Sequence, residues 1–179
     1  MTATDANVEK KLEDFWKLIQ DIELAQLTTR SPDGSLVSRP MTTLARGPGG
    51  DIWFMTNVET HKVDEIEADR QVNVAYMRGS EWVSVSGTAR VVRDPALIHE
   101  LYKSEWRAWL GDEGGELNGG PDDPRIALLA IEPTSATYFM RTLSKPVTMF
   151  RLVTAVVVGQ PPRVGETRHL DTEDFHHSG

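Results

Sequence analysis

Between Leu24 and Met140 the chain runs in short, largely alternating apolar stretches, each cut off by a tight-turn signal. This narrows the available folds more than any other feature. Leu24 to Thr29 is followed by Ser31-Pro32-Asp33-Gly34, which suits a tight turn, and Leu36 to Thr43 then reads as the return strand of a hairpin. Gly47-Pro48-Gly49-Gly50 is a loop before a third strand, Ile52 to Thr56. Val72 to Met77 alternates, Arg78-Gly79-Ser80 turns the chain, and Glu81 to Val92 is a long strand with Gly87 as a bend or bulge. Ile126 to Ile131 is an apolar run expected to be a buried strand. Ala136 to Met140 is expected as a separate last strand after Pro133. About six or seven strands joined by short turns predict a mainly β protein, an antiparallel barrel, rather than a βαβ sheet.

Helical periodicity appears in only a few places. Val8, Leu12, Phe15, Trp16 and Ile19 fall on one helix face, with Thr4 or Asp5 as the expected cap. A second helix is expected from about Thr60 to Asp69, with Val63 and Ile66 facing inward. Asp94-Pro95 reads as a cap followed by a first helical residue. The helix after it is expected to reach about Leu110, with Ile98, Tyr102, Trp106 and Trp109 on one face. Gly111 to Pro124 reads as a loop. In the tail, Ser144-Lys145-Pro146 reads as a helix start and Val147 to Val158 as a helix. The expected division is residues 1–140 as barrel plus N-terminal helix, and 141–179 as a helical or extended tail packing on it.

A length of 179 residues suits one ordinary domain with its own core. The formal net charge of −8 argues against a nucleic-acid partner, which needs a basic stripe. The chain contains no cysteine, so disulfides and thiolate chemistry are excluded. No basic segment leads into an apolar run, and no apolar run approaches the length of a membrane span, so a cytoplasmic protein without a membrane partner is expected.

Several chemistries find no support. There is no Gly-x-Ser-x-Gly, and His61, His99, His169, His176 and His177 have no Ser or Asp partner at a meaningful spacing. His169, His176 and His177 do not converge as metal ligands, so no metal site is expected. Neither a Walker A pattern nor Gly-x-Gly-x-x-Gly occurs. The stretch from Asp51 to Lys62 remains. It is a strand that breaks at Asn57 and enters a helix, a junction whose free N–H groups and positive dipole end suit a phosphate. Thr56, Asn57, His61 and Lys62 crowd it, and Arg39 on the preceding strand would add a second cation. Taken alone, Lys62 also reads as a solvated helix lysine and Arg39 as a surface strand residue.

The order of these features resembles the pyridoxamine 5′-phosphate oxidase-like superfamily of flavin-binding split barrels, and within it the general-stress-protein branch. The likeness is carried by Arg39-Pro40-Met41, Phe54-Met55-Thr56-Asn57, Lys62 opening a helix, Val83-Ser84-Val85-Ser86-Gly87-Thr88-Ala89 and Asp122-Asp123-Pro124. It implies a six-stranded split barrel that works as a homodimer with FMN at the subunit interface. It further implies that Arg39, Thr56, His61 and Lys62 hold the phosphate. The run from Arg39 to Leu44, with Pro40, Met41 and Thr42, would line the isoalloxazine, Met55 and Asn57 would belong to the same site, and Trp82 or Trp106 of a second subunit would cover the ring.

Three departures stand out. His61 replaces the arginine of the oxidase's basic pair, Leu44 replaces a lysine, and Trp82 replaces a glutamine. The oxidase's C-terminal Arg- and Trp-bearing segment has no counterpart, so oxidation of vitamin B6 is not implied. No side chain stands out as acid or base. The expectation is an FMN-dependent oxidoreductase or stress-related flavin protein. The alternatives are a non-catalytic flavin sensor, or a split barrel holding haem or a deazaflavin.

Overall fold

The computed structural model describes residues 3–46, 50–141 and 165–176. Its elements, in order, are α1 (Ala3–Ile22), β1 (Leu24–Arg30), β2 (Leu36–Arg46), β3 (Ile52–Asn57), α2 (His61–Ala68), β4 (Gln71–Arg78) and β5 (Glu81–Val92). There follow α3 (Pro95–Leu101), a 3₁₀ turn (Ser104–Trp106), α4 (Arg107–Leu110), β6 (Ile126–Arg141), β7 (Gly165–Leu170) and α5 (Thr172–His176). The strands pair antiparallel in the order β3-β2-β1-β4-β5-β6-β7. A further β3–β6 pairing closes β1 to β6 into a six-stranded barrel. Closure leaves no free edge among those six strands.

The barrel interior is filled by alternate residues of β1, β3, β4, β5 and β6. Ala25, Leu27, Phe54, Val74, Tyr76, Val83, Val85 and Tyr138 are all buried there. α1 closes one side with Leu12, Phe15, Trp16 and Ile19, the periodic face legible in the sequence, and with Leu18 beside them. The helix begins at Ala3, so Thr4 and Asp5 lie inside its first turn rather than before it. α5 meets the same lid, where Phe175 stands edge-on to Phe15 with ring centres 5.4 Å apart. Arg168 of β7 donates to Asp14 of α1 at 2.6 Å, tying the C-terminal strand to the N-terminal helix.

The hairpin turn at 31–34 forms as expected. Gly34 N–H donates to Ser31 O, and Gly34 takes φ +86°, a conformation glycine adopts without steric cost.

Two further expectations are corrected. Ile126 to Met140 is one continuous strand, not two. Pro133 is accommodated because β5 shifts register between Ser86 and Gly87, which sets Gly87 opposite Pro133. A Cβ on Gly87 would lie 2.5 Å from Glu132 O, so only glycine fits that approach. The helix after Asp94 also stops early, at Leu101. Tyr102 turns to an extended ψ of 136°, which brings its hydroxyl to Gly119 O at 2.7 Å and its ring edge-on to Trp106. That tertiary contact overrides the helical period. Trp106 is buried, and Trp109 is 85% exposed.

The first half of β6 is buried on both faces, hence its unbroken apolar run. Inward it packs in the barrel. Outward, Ile126, Leu128 and Ala130 join Trp53, Ile98, Trp106 and Leu110 in a second core. The helix expected over Val147 to Val158 lies outside the described residues.

Candidate functional site

Arg39 is the starting point. On β2 it faces Leu27 of β1, whose side chain is fully buried, so the Arg39 side chain enters the barrel end and not the surface. A charge taken out of water needs a partner. Here the partner is Glu65 of α2, with Arg39 Nη2 donating to Oε2 at 2.8 Å and side chains 18% and 7% exposed respectively. Arg39 Nη1 donates to Thr29 Oγ1. Thr29 Oγ1 in turn donates to Glu65 Oε2 at 2.5 Å, and Ser31 Oγ donates to Oε1 at 2.8 Å. Burial alone would raise the Glu65 pKa. The hydrogen bonds from Thr29, Ser31 and Arg39, together with the Arg39 charge, outweigh it, and the carboxyl is held below its usual range.

The second cation stands one helical turn away. β3 ends at Asn57, whose side-chain Oδ1 accepts from Glu59 N–H at 2.8 Å and shapes the turn into α2. Thr60 flanks the helix in an extended conformation but makes no side-chain capping bond. Its hydroxyl donates instead to Asn57 O and accepts from Lys62 Nζ, each at 2.7 Å. Lys62 Nζ also reaches Thr56 Oγ1 at 3.2 Å. The half-buried ammonium is therefore held between two hydroxyls, and among the described residues it has no carboxylate partner within salt-bridge distance. Desolvation first, then repulsion from Arg39, lower its pKa, with Glu65 opposing.

Arg39, Thr60, His61 and Lys62 line one open groove of about 640 Å³ with Ser31, Pro32, Val37, Asp64 and Glu65. An unmatched half-buried cation, an uncapped helix start and a ring of hydroxyls are the donor set for an oxyanion such as a phosphate ester.

The other residues singled out in the sequence fall in three places. Pro40 and Thr42 lie on the outer sheet face, opposite Gln26 and Leu24, while Met41 packs toward the barrel core and Met55 toward the second core. Trp82 is half-buried on the outer face of β5, between Met77 and Phe139. Trp106 is not brought to the groove in this chain, being enclosed in its own second core. Sequence reasoning missed Glu65, Thr29 and Ser31. The available signal was the strand alternation, which sets Arg39 with Met41 and Thr43 on the inward face, and the spacing of Lys62, Glu65 and Ile66 on one face of α2.

A closed six-stranded antiparallel split barrel, with a groove holding Arg39 and Lys62 where β3 enters α2, defines the class of protein. Residues 10–163 match the model of the "pyridoxamine 5′-phosphate oxidase like" family, and the chain belongs to that family. Protein bli-3 of Neurospora crassa is 31% identical over 176 residues, covering 96% of this chain and 84% of the relative. Among solved structures, the general stress FMN/FAD binding protein of Xanthomonas citri is 29% identical with a TM-score of 0.60, covering 74% of this chain and 89% of that one. A putative general stress protein 26 from Jannaschia sp. CCS1 shares the fold at 20% identity with a TM-score of 0.69, over 93% of this chain and 98% of the other.

Proposed function

We propose that this protein binds FMN, with the phosphate seated at Arg39, Thr56, Asn57, His61 and Lys62, the ring running along the backbone of Pro40, Met41 and Thr42, and Met55 in the same site. The observation that carries the reading is Lys62, a half-buried ammonium that has no carboxylate partner among the described residues and shares a groove with Arg39. The flavin-binding Xanthomonas citri relative adds support. Bound flavin supplies one- and two-electron transfer, and this chain's residues bind and orient it. The proposed role is that of a flavin carrier or sensor, for which the segment along the ring needs no acid or base. Steady turnover with NADH or NADPH would speak for an oxidoreductase instead.

The working unit in this proposal is a homodimer. The outer face of β1, β2 and β4 leaves Leu24, Leu36 and Met77 56%, 67% and 74% exposed, apolar surface suited to a second copy. Pro40, Thr42 and Trp82 share that face. A partner's Trp82 is therefore the aromatic proposed against the ring.

Purified protein is expected to be yellow, or to bind added FMN tightly, and to sediment as a dimer. Lys62→Ala should weaken FMN binding by about 1.5–3 kcal/mol, the scale of a charge-assisted hydrogen bond, with riboflavin affinity unchanged. Arg39→Ala should lose at least as much and also lower the melting temperature, because it strands Glu65. A colourless protein without FMN affinity refutes the reading.

A further inference from the structure

The groove that holds the cations also holds an acid. Its cations are Arg39 and Lys62. Its carboxylates are Glu65, inside, and Asp64, on the exposed rim, and His61 stands at the mouth. Glu65 is already ion-paired with Arg39 at 2.8 Å and is fixed by Thr29 and Ser31. The guanidinium keeps unused N–H groups that can face a ligand, since two of its five are engaged by these partners. Its charge, however, is matched. The hydrogen-bonding capacity of Arg39 is thus on offer while its net charge is not, and Lys62 is the cation left to balance an incoming anion. Glu65 itself is buried, so a second negative charge on a ligand in the groove meets its carboxylate with less screening than it would at the open surface.

We propose that Glu65 sets the charge of the phosphate this groove accepts. With Glu65 in place, a singly charged flavin phosphodiester is held about as well as the doubly charged phosphate of FMN. The proposal rests on the flavin reading above. It makes Glu65 a specificity-determining residue acting on the ligand's charge.

The test uses two ligands with the same ring, FMN and riboflavin 4′,5′-cyclic phosphate, with riboflavin as the uncharged control. All three are titrated by flavin fluorescence at pH 8 into the wild-type protein and Glu65→Gln. The wild type is expected to bind the two phosphates within about threefold of each other. Glu65→Gln is expected to tighten FMN by about tenfold or more, the cyclic diester by less than about threefold, and riboflavin not at all. FMN preferred by the wild type by more than about tenfold overturns the proposal without any variant, so it stays testable if Glu65→Gln fails to fold. Weaker or unchanged FMN binding in Glu65→Gln, or equal shifts for both phosphates, also overturns it while leaving the flavin reading intact. Failure of every flavin to bind the wild type refutes the flavin reading and this proposal together.

Discussion

Asp123 holds together the loop that braces the candidate site, and its removal is a sharp test of how the fold positions that site. Its carboxylate accepts from Gly119 N–H at 2.7 Å, Arg125 N–H at 2.9 Å, Arg125 Nε at 3.0 Å and Arg125 Nη2 at 2.7 Å. Arg125 in turn donates to Leu110 O, Gly111 O and Glu113. Its carbonyl accepts Val58 N–H at 2.8 Å, in the turn that leads from β3 to α2. The Asp123 side chain is fully enclosed.

Removing one partner of a buried pair costs about 3–5 kcal/mol. The Asp123→Ala loss is expected at the low end of that range, about 3 kcal/mol in urea unfolding, because the pair lies under a surface loop. A simple ion pair would be restored by exchanging both partners for apolar residues. Here Asp123→Leu with Arg125→Met should recover little, because four backbone groups lose their partners as well. Faster hydrogen exchange at the Val58 amide should accompany both variants.

The hydrogen bonds from Arg125 hold the Asp123 carboxyl well below the usual carboxylate range, against the opposing effect of burial. A depressed folded-state pKa stabilises above the unfolded value of about 4, and that stability is lost as pH falls further. The variant's stability should therefore fall less steeply than the wild type's below about pH 4. A double variant as stable as the wild type, or an unchanged Val58 exchange rate, would refute the clasp.

Two further substitutions probe the backbone. Glu23 joins α1 to β1 at φ +57°, where a side chain is strained, while its carbonyl accepts Thr43 N–H at 2.9 Å. Glu23→Gly should raise stability by about 1 kcal/mol in denaturant unfolding, and a loss would show that the Glu23 side chain outweighs the strain. Gly87→Ala should cost about 1–3 kcal/mol, read from the thermal midpoint, since its new methyl collides with the Glu132 carbonyl; an unchanged midpoint would mean that β6 yields there.

The barrel was legible in the sequence because its strands obey local rules. Alternation marked the strands, Ser31-Pro32-Asp33-Gly34 marked the hairpin, and Gly87 marked the bend. The failures came where distant contacts overrode local preference. Pro133 reads as a strand breaker until Gly87, far away in sequence, supplies the register shift that admits it. Likewise, the period through Tyr102, Trp106 and Trp109 is a good helical one. It yields because Tyr102 gains a hydrogen bond to Gly119 and Trp106 gains a core, while Trp109 is left outside.

The site shows the same division more sharply. Thr56, Asn57, Thr60 and Lys62 lie close in sequence, and the strand-to-helix junction makes their convergence a local matter. Arg39 belongs to another strand, and Glu65 pairs with it across 26 residues of chain. Composition reads such an arginine as a surface residue. Only its parity, set with Met41 and Thr43 and against Pro40 and Thr42, turns it inward. Once inward, desolvation demands an acid and further hydrogen bonds, and Glu65, Thr29 and Ser31 meet that demand. The acid that makes a buried Arg39 possible is, in the proposal above, the same group that limits how much negative charge the groove can take. At this barrel end the stability of the fold and the selectivity of the site rest on one carboxylate.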